Sequence, residues 1–97
     1  MHFEWDEKKN QINIHKHALD FKDAWEIFTK PMLVAIDDRK DYGEERWIGI
    51  GMLKGRVVVV VFVERNEDTI RIISMRKALA YERRRYEQYL QDGLGTN

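Results

Sequence analysis

Three arginines, Arg65, Arg71 and Arg76, fall close together in the second half of the chain, and two side chains able to move a proton, His17 and Glu45, lie upstream of them. Guanidinium presents a planar fork of donors that matches the oxygens of a phosphate. Imidazole titrates near neutral pH, which suits His17 to proton transfer. Glu45 can serve as a base if neighbouring cations hold it ionised. Lys16 precedes His17, Arg46 follows Glu45, and Lys8 and Lys9 add cations near the N-terminus. From Arg71 to Tyr86 there are six Lys/Arg against one Glu, in a chain whose formal net charge is zero. The chemistry these types point to is the gripping of a phosphate beside a proton-transfer group. Each has a plainer reading. Lys16 and His17 can offset a helix dipole, Glu45-Arg46 can keep a sheet edge solvated, and clustered arginines can belong to a structural ion-pair network.

Other chemistries find no support. His15 and His17 are two residues apart and point to different sides of a helix, and no carboxylate has ligand spacing with them, so no metal is expected. The chain has no cysteine, which excludes disulfides, thiolate zinc sites and a cysteine nucleophile. It has no glycine-rich phosphate loop, no Gly-x-Ser-x-Gly and hence no motif for nucleotide hydrolysis or acyl transfer. No cofactor is expected.

The elements that must position these groups follow from capping and periodicity. Asp6 caps a helix running to about Lys16, with Glu7 in its first turn and with Phe3 and Trp5 packed beside it. Asp20 caps a second, whose Phe21, Ala24, Trp25 and Phe28 follow i, i+3, i+4, i+7 spacing until Pro31 ends it. Met32 to Ile36 reads as a strand, and an acidic loop, Asp37 to Glu45, carries five acids against two bases. Arg46 to Leu53 and Arg56 to Val63 are strand-rich runs joined by the hairpin signal Lys54-Gly55. Val57 to Val63 is apolar throughout, as in a central strand. Asn66-Glu67-Asp68 turns the chain into Thr69 to Met75, which puts Arg65 and Arg71 at neighbouring ends of a hairpin with Arg76 as a third cation. A last helix runs from near Arg76 to about Gln91. The expectation is an α+β domain: an antiparallel four-stranded sheet with two N-terminal helices and one C-terminal helix.

Its 97 residues suit a single domain, residues 1–91, followed by a flexible tail at 92–97. With 43% hydrophobic and 35% charged residues the chain is too apolar for disorder and too charged for a membrane protein. The N-terminus has neither a basic start nor a hydrophobic core, so a cytoplasmic location and no membrane partner are expected.

Phe3-Glu4-Trp5-Asp6 with Lys8 and Lys9, Lys16-His17, Phe21, Ala24, Phe28, Glu45-Arg46, Arg65, Arg71-Ile72-Ile73-Ser74-x-Arg76-x-Ala78 and Glu82-Arg83 together resemble the BrnT toxin family, in order, from Phe3 to about Tyr86. The resemblance implies a RelE-like ribonuclease toxin of a type II toxin–antitoxin pair. Its partner would be a BrnA-like ribbon-helix-helix antitoxin, in a particle of two toxins with two antitoxins. Promoter DNA would be bound, and the operon repressed, only through that antitoxin. The activity implied is metal-independent endoribonucleolytic cleavage, a 2′-hydroxyl attacking the adjacent phosphate. His17 or Glu45 would transfer protons, Arg65, Arg71 and Arg76 would stabilise the phosphate, and Lys16, Arg46 and Lys8 would bind RNA. Two departures stand out. Many relatives have glycine after the Lys-His pair, where this chain has Ala18, so the helix must end another way. The zero net charge requires a local cationic field rather than a global one.

Two other classes of function remain on the residues alone. One is a non-catalytic interaction module for a DNA-binding repressor, docking through Trp47, Ile48, Ile50 and the Tyr-rich last helix. The other is direct DNA binding by Arg83-Arg84-Arg85, which three consecutive positions around a helix disfavour because they spread over a wide arc.

Overall fold

In the computed structural model, which describes residues 1–95, five strands form one mixed sheet in the order β1-β5-β4-β3-β2. The elements are β1 (His2–Trp5), α1 (Glu7–His17), a 3₁₀ turn (Phe21–Asp23), α2 (Trp25–Phe28), β2 (Leu33–Ile36), β3 (Trp47–Leu53), β4 (Arg56–Arg65), β5 (Thr69–Lys77) and α3 (Ala80–Gly95). The meander β2 to β5 is antiparallel as expected. The correction is β1, which pairs parallel with β5 from His2↔Thr69 to Trp5↔Ile72, so the sheet is five-stranded and mixed. Phe3 and Trp5 do pack on the core, but from a strand rather than beside α1.

β4 is the spine. Val58 to Val63 are at most 6% exposed, buried on both faces. Val58, Val60 and Phe62 meet Phe21, Ala24, Ile27, Ile72 and Met75 on one face, beneath the first helices. Val59 and Ile50 meet Ala78 and Tyr86 on the other, beneath α3. The Tyr86 hydroxyl donates to the Pro31 carbonyl oxygen at 2.7 Å and fixes α3 against the chain entering β2. Lys54 and Gly55, with φ of 50° and 78°, make the two-residue hairpin that the sequence signalled.

The second helical region differs from its expected periodicity. It is a 3₁₀ turn followed by a single α turn, and Phe21, Ala24 and Ile27, each three apart, point inward at 0–1% exposure. That spacing follows three residues per turn. Trp25 is therefore turned out, 54% exposed. Ile27 sits so close to β3 that a Cβ on Gly51 would lie 2.7 Å from its Cγ2. At the other end of the chain β5 continues to Lys77, so α3 begins later than expected, and it runs to Gly95 rather than stopping near Gln91. Of the expected tail, Thr96 and Asn97 lie outside the described residues.

One irregularity has consequences for chemistry. Val61 pairs with Ser74 and Phe62 with Ile72, so Ile73 is an extra residue in β5, a bulge. Arg71 and Arg76 are an odd number of residues apart and would point to opposite faces of a regular strand. With the bulge, Arg71 lies opposite Val63 and Arg76 opposite Val59, on the same face.

Candidate functional site

The first cluster is built by the end of α1. Asp6 accepts a hydrogen bond from the Lys9 amide at 3.2 Å and starts the helix as expected. Two buried asparagines then bolt it down. Asn13 accepts from the Met75 amide at 3.1 Å and donates to the Leu19 carbonyl at 3.0 Å, and Asn10 accepts from the Phe21 amide at 2.9 Å. Because β1 pairs only as far as Ile72, the helix rather than another strand borders the second half of β5. The helix ends at Ala18, whose φ of 57° and ψ of 32° are left-handed. The ending is thus made in the glycine-like conformation after all, by an alanine that is strained there.

This arrangement opens a cleft of about 480 Å³ lined by His15, Lys16, His17, Ala18, Arg76, Lys77 and Leu79. His17 is half-buried and Lys16 exposed. Arg76 is 33% exposed and held by Glu82, which is 7% exposed, through paired bonds of 2.7 and 2.8 Å. Glu82 Oε1 also accepts from the Leu79 amide at 2.8 Å, capping α3. The Arg76 bonds, with the Leu79 amide in support, hold the Glu82 carboxyl below its usual range, and the carboxylate raises the Arg76 pKa in turn. A fork fixed in this way keeps its remaining donors in one orientation.

The second cluster lies at the other end of β5. Arg71 bonds Glu4 at 2.8 Å, Arg65 lies 4.0 Å from the same Glu4 oxygen and 3.4 Å from Glu44, and Arg46 reaches Glu44 at 3.3 Å. Arg46 also stacks over the Tyr42 ring, 4.1 Å from its centre. Arg65 and Arg71 do converge as expected, and the repulsion between them is relieved by carboxylates of the same chain. Glu45 is exposed beside Arg65 in a separate cleft of about 510 Å³ formed with Glu44, Trp47, Val63 and Glu64. Acids outnumber bases in its lining, so this cleft is a poorer seat for a reacting phosphate than the His17 cleft. Lys8 stands exposed on α1.

The expected site residues therefore separate. His17, Lys16 and Arg76 come together; Glu45, Arg46, Arg65 and Arg71 come together elsewhere; and Arg76 is not the third member of the hairpin group. With the bulge, Arg71 and Arg76 are separated by four residue steps of β4, from Val59 to Val63, which puts them roughly 13 Å apart. Sequence reasoning missed Glu4, Glu44 and Glu82, the carboxylates that hold the arginines. Glu82 carries half of a capping-box signal, but Leu79 occupies the cap position where Ser or Thr would have revealed it. Among the described residues no group of three or more His, Asp or Glu is placed to hold a metal ion, and no helix is long and apolar enough to cross a membrane.

Comparison with known proteins adds an independent line. The family model described as "Ribonuclease toxin, BrnT, of type II toxin-antitoxin system" matches residues 5–82. The crystal structure of the Brucella abortus ribonuclease toxin BrnT superposes with a TM-score of 0.63 at 34% sequence identity, covering 81% of this chain and 97% of that one. No curated protein sequence matches closely enough to count as a relative.

Proposed function

This chain belongs to the BrnT family of ribonuclease toxins of type II toxin–antitoxin systems, and from that premise we propose that it is a metal-independent endoribonuclease whose reaction centre is the cleft between α1 and β5. The observation that carries the proposal is the placing of His17 beside Lys16, Lys77 and a Glu82-oriented Arg76. In the reaction, His17 takes the proton from a ribose 2′-hydroxyl as that oxygen bonds to the adjacent phosphorus. Arg76 stabilises the charge that develops on the phosphoryl oxygens, and Lys16 positions the RNA. The bond from phosphorus to the 5′ oxygen breaks, and solvent admitted by the open cleft supplies its proton. The products are a 2′,3′-cyclic phosphate and a 5′-hydroxyl. Arg65, Arg71, Arg46 and Lys8 contact flanking RNA, and Glu45 is a base only if the phosphate instead binds at the second cluster.

A type II system pairs its toxin with an antitoxin. We assign this one a BrnA-like ribbon-helix-helix partner, with which it represses its own operon in the cytoplasm. A second reading, a non-catalytic module that serves mainly as that partner's ligand, draws on one observation: Arg71, Arg65 and Arg76 are all matched by carboxylates of the chain itself. Expression in a cell without the partner gene separates the two. Growth arrest with RNA decay is the outcome for a ribonuclease, and harmless expression of folded protein is the outcome for a module.

A further inference from the structure

The sheet face beneath α3 can be followed in rows across the strands. Leu33, Ile50, Val59 and Arg76 align in one row, and Ala35, Ile48, Val61 and Ser74 in the next. The Asp37 amide bonds the Arg46 carbonyl at 2.8 Å, which extends the pairing to a third row with Val63 and Arg71. α3 covers the first row. The middle row has only small side chains at its two ends, an exposed Ala35 and a half-exposed Ser74.

Arg39 rises from the third row. Asp37, its side chain 1% exposed, takes Nε and one terminal nitrogen of Arg39 at 2.7 and 2.8 Å, and Tyr42 Oη sits 3.3 Å from the same carboxylate. The Arg39 side chain is 60% exposed, and its second terminal nitrogen has no partner among the described residues. Arg39 thus resembles Arg76 in being anchored by a buried carboxylate, but it is held side-on through Nε, where Arg76 is held by both terminal nitrogens. Glu82 raises the Arg76 pKa, and Arg39 opposes it only slightly. Two carboxylate-anchored guanidinium groups rising from the same face of the sheet can each offer their remaining donors to a phosphate of one strand.

We propose that the strip of sheet between α3 and the 37–46 loop is a second phosphate subsite, in which Arg39 holds a phosphodiester of single-stranded RNA adjoining the one at Arg76. The inference rests on the ribonuclease reading for its ligand, but its test does not require cleavage. The probe is a short single-stranded RNA carrying 2′-fluoro sugars throughout, which cannot supply the attacking hydroxyl, and its binding is followed by fluorescence anisotropy over a range of salt.

The double exchange Asp37→Asn with Arg39→Gln removes both charges, leaves the net charge of the chain unchanged, and keeps a polar pair in place. It is expected to weaken binding roughly tenfold at low salt and to flatten the slope of log K against log salt by ~0.7, the share of one single-strand phosphate contact. Arg56→Gln, on an exposed residue at the β3–β4 hairpin, serves as a control and should leave the slope less affected. Thermal melting verifies that the double variant is folded; should it not be, Arg39→Lys, which retains the charge but not the fork, is expected to lose affinity while keeping most of the slope. Affinity and slope equal to the parent's in a folded variant overturn the subsite. Binding that depends on Arg39 in a protein unable to cleave ordinary RNA would instead keep the subsite and overturn the ribonuclease reading.

Discussion

His17 and Arg76 carry the chemical proposal, and single substitutions separate their roles. His17→Ala is expected to lower RNA cleavage by ~10²–10⁴-fold and to remove one limb of the pH–rate profile, the signature of a proton-transfer group. Arg76→Ala should cost at least ~10²-fold, the scale of one lost donor to transition-state charge. It also strands Glu82, 7% exposed, which costs stability of about 1–3 kcal/mol. Glu82→Gln is the cleaner probe, because the amide oxygen can still cap α3 while the paired contact to Arg76 is broken. It should reduce kcat about tenfold with little change in KM, in line with a misplaced donor, and add nothing further in an Arg76→Ala background. Arg71→Ala should cost less activity than Arg76→Ala, because Arg71 is engaged by Glu4 and lies outside the His17 cleft. Single-turnover kinetics with each variant would rank them, and equal losses at Arg71 and Arg76 would move the reaction centre toward the second cluster.

At the scale of elements, the strained end of α1 makes the simplest prediction. Ala18 sits at φ 57°, a conformation that costs an L-residue ~1–2 kcal/mol and glycine almost nothing. Ala18→Gly should therefore stabilise the protein by about 1 kcal/mol, raising Tm by roughly 4–8 °C for a domain of this size. The 37–46 loop makes a second prediction. Arg39 holds the Asp37 carboxyl down to about 2 from an ordinary 3.8. A depressed folded-state pKa contributes stability that is full above the unfolded value and lost as pH falls through the folded one. The Asp37–Arg39 contribution should accordingly fade between about pH 4 and pH 2, and Asp37→Asn should flatten that part of the stability–pH curve measured by urea unfolding.

The same elements define what sequence could reveal. The apolar run of β4 and the Lys54-Gly55 turn were legible because their signals are local, a period and a dipeptide. β1 was not, since four residues acquire strand character only from the β5 edge they join. Nor was the bulge at Ile73, which appears only as a mismatch between the counts of two paired strands. That one inserted residue decides that Arg71 and Arg76 share a face, so the site was legible as residue types and not as a constellation. The phase error at Trp25 has a similar origin: a 3₁₀ turn imposes a different period on the same apolar residues.

At the level of the whole molecule, a chain of this length has a modest core, and the His17 cleft is lined by Lys16, Arg76 and Lys77 with no acid among its lining residues. An antitoxin that supplies carboxylates there would both block RNA and, by binding only the folded state, raise the apparent stability. A dimeric ribbon-helix-helix partner should give a particle of two toxins with two antitoxins. Light scattering of the co-expressed complex checks the stoichiometry, and a melt that is no higher than the free toxin's would contradict the neutralisation argument. The neutral overall charge fits this picture, because the acidic 37–45 segment offsets basic groups without occupying the His17 cleft. The central claim, that this cleft cuts RNA by 2′-hydroxyl attack without a metal, is tested most directly by analysing the ends of RNA fragments made by the purified free toxin in excess EDTA. Undiminished cleavage that yields cyclic phosphate and 5′-hydroxyl ends is expected, whereas activity that returns only with a divalent cation, or fragments bearing 5′-phosphate, would rule this chemistry out.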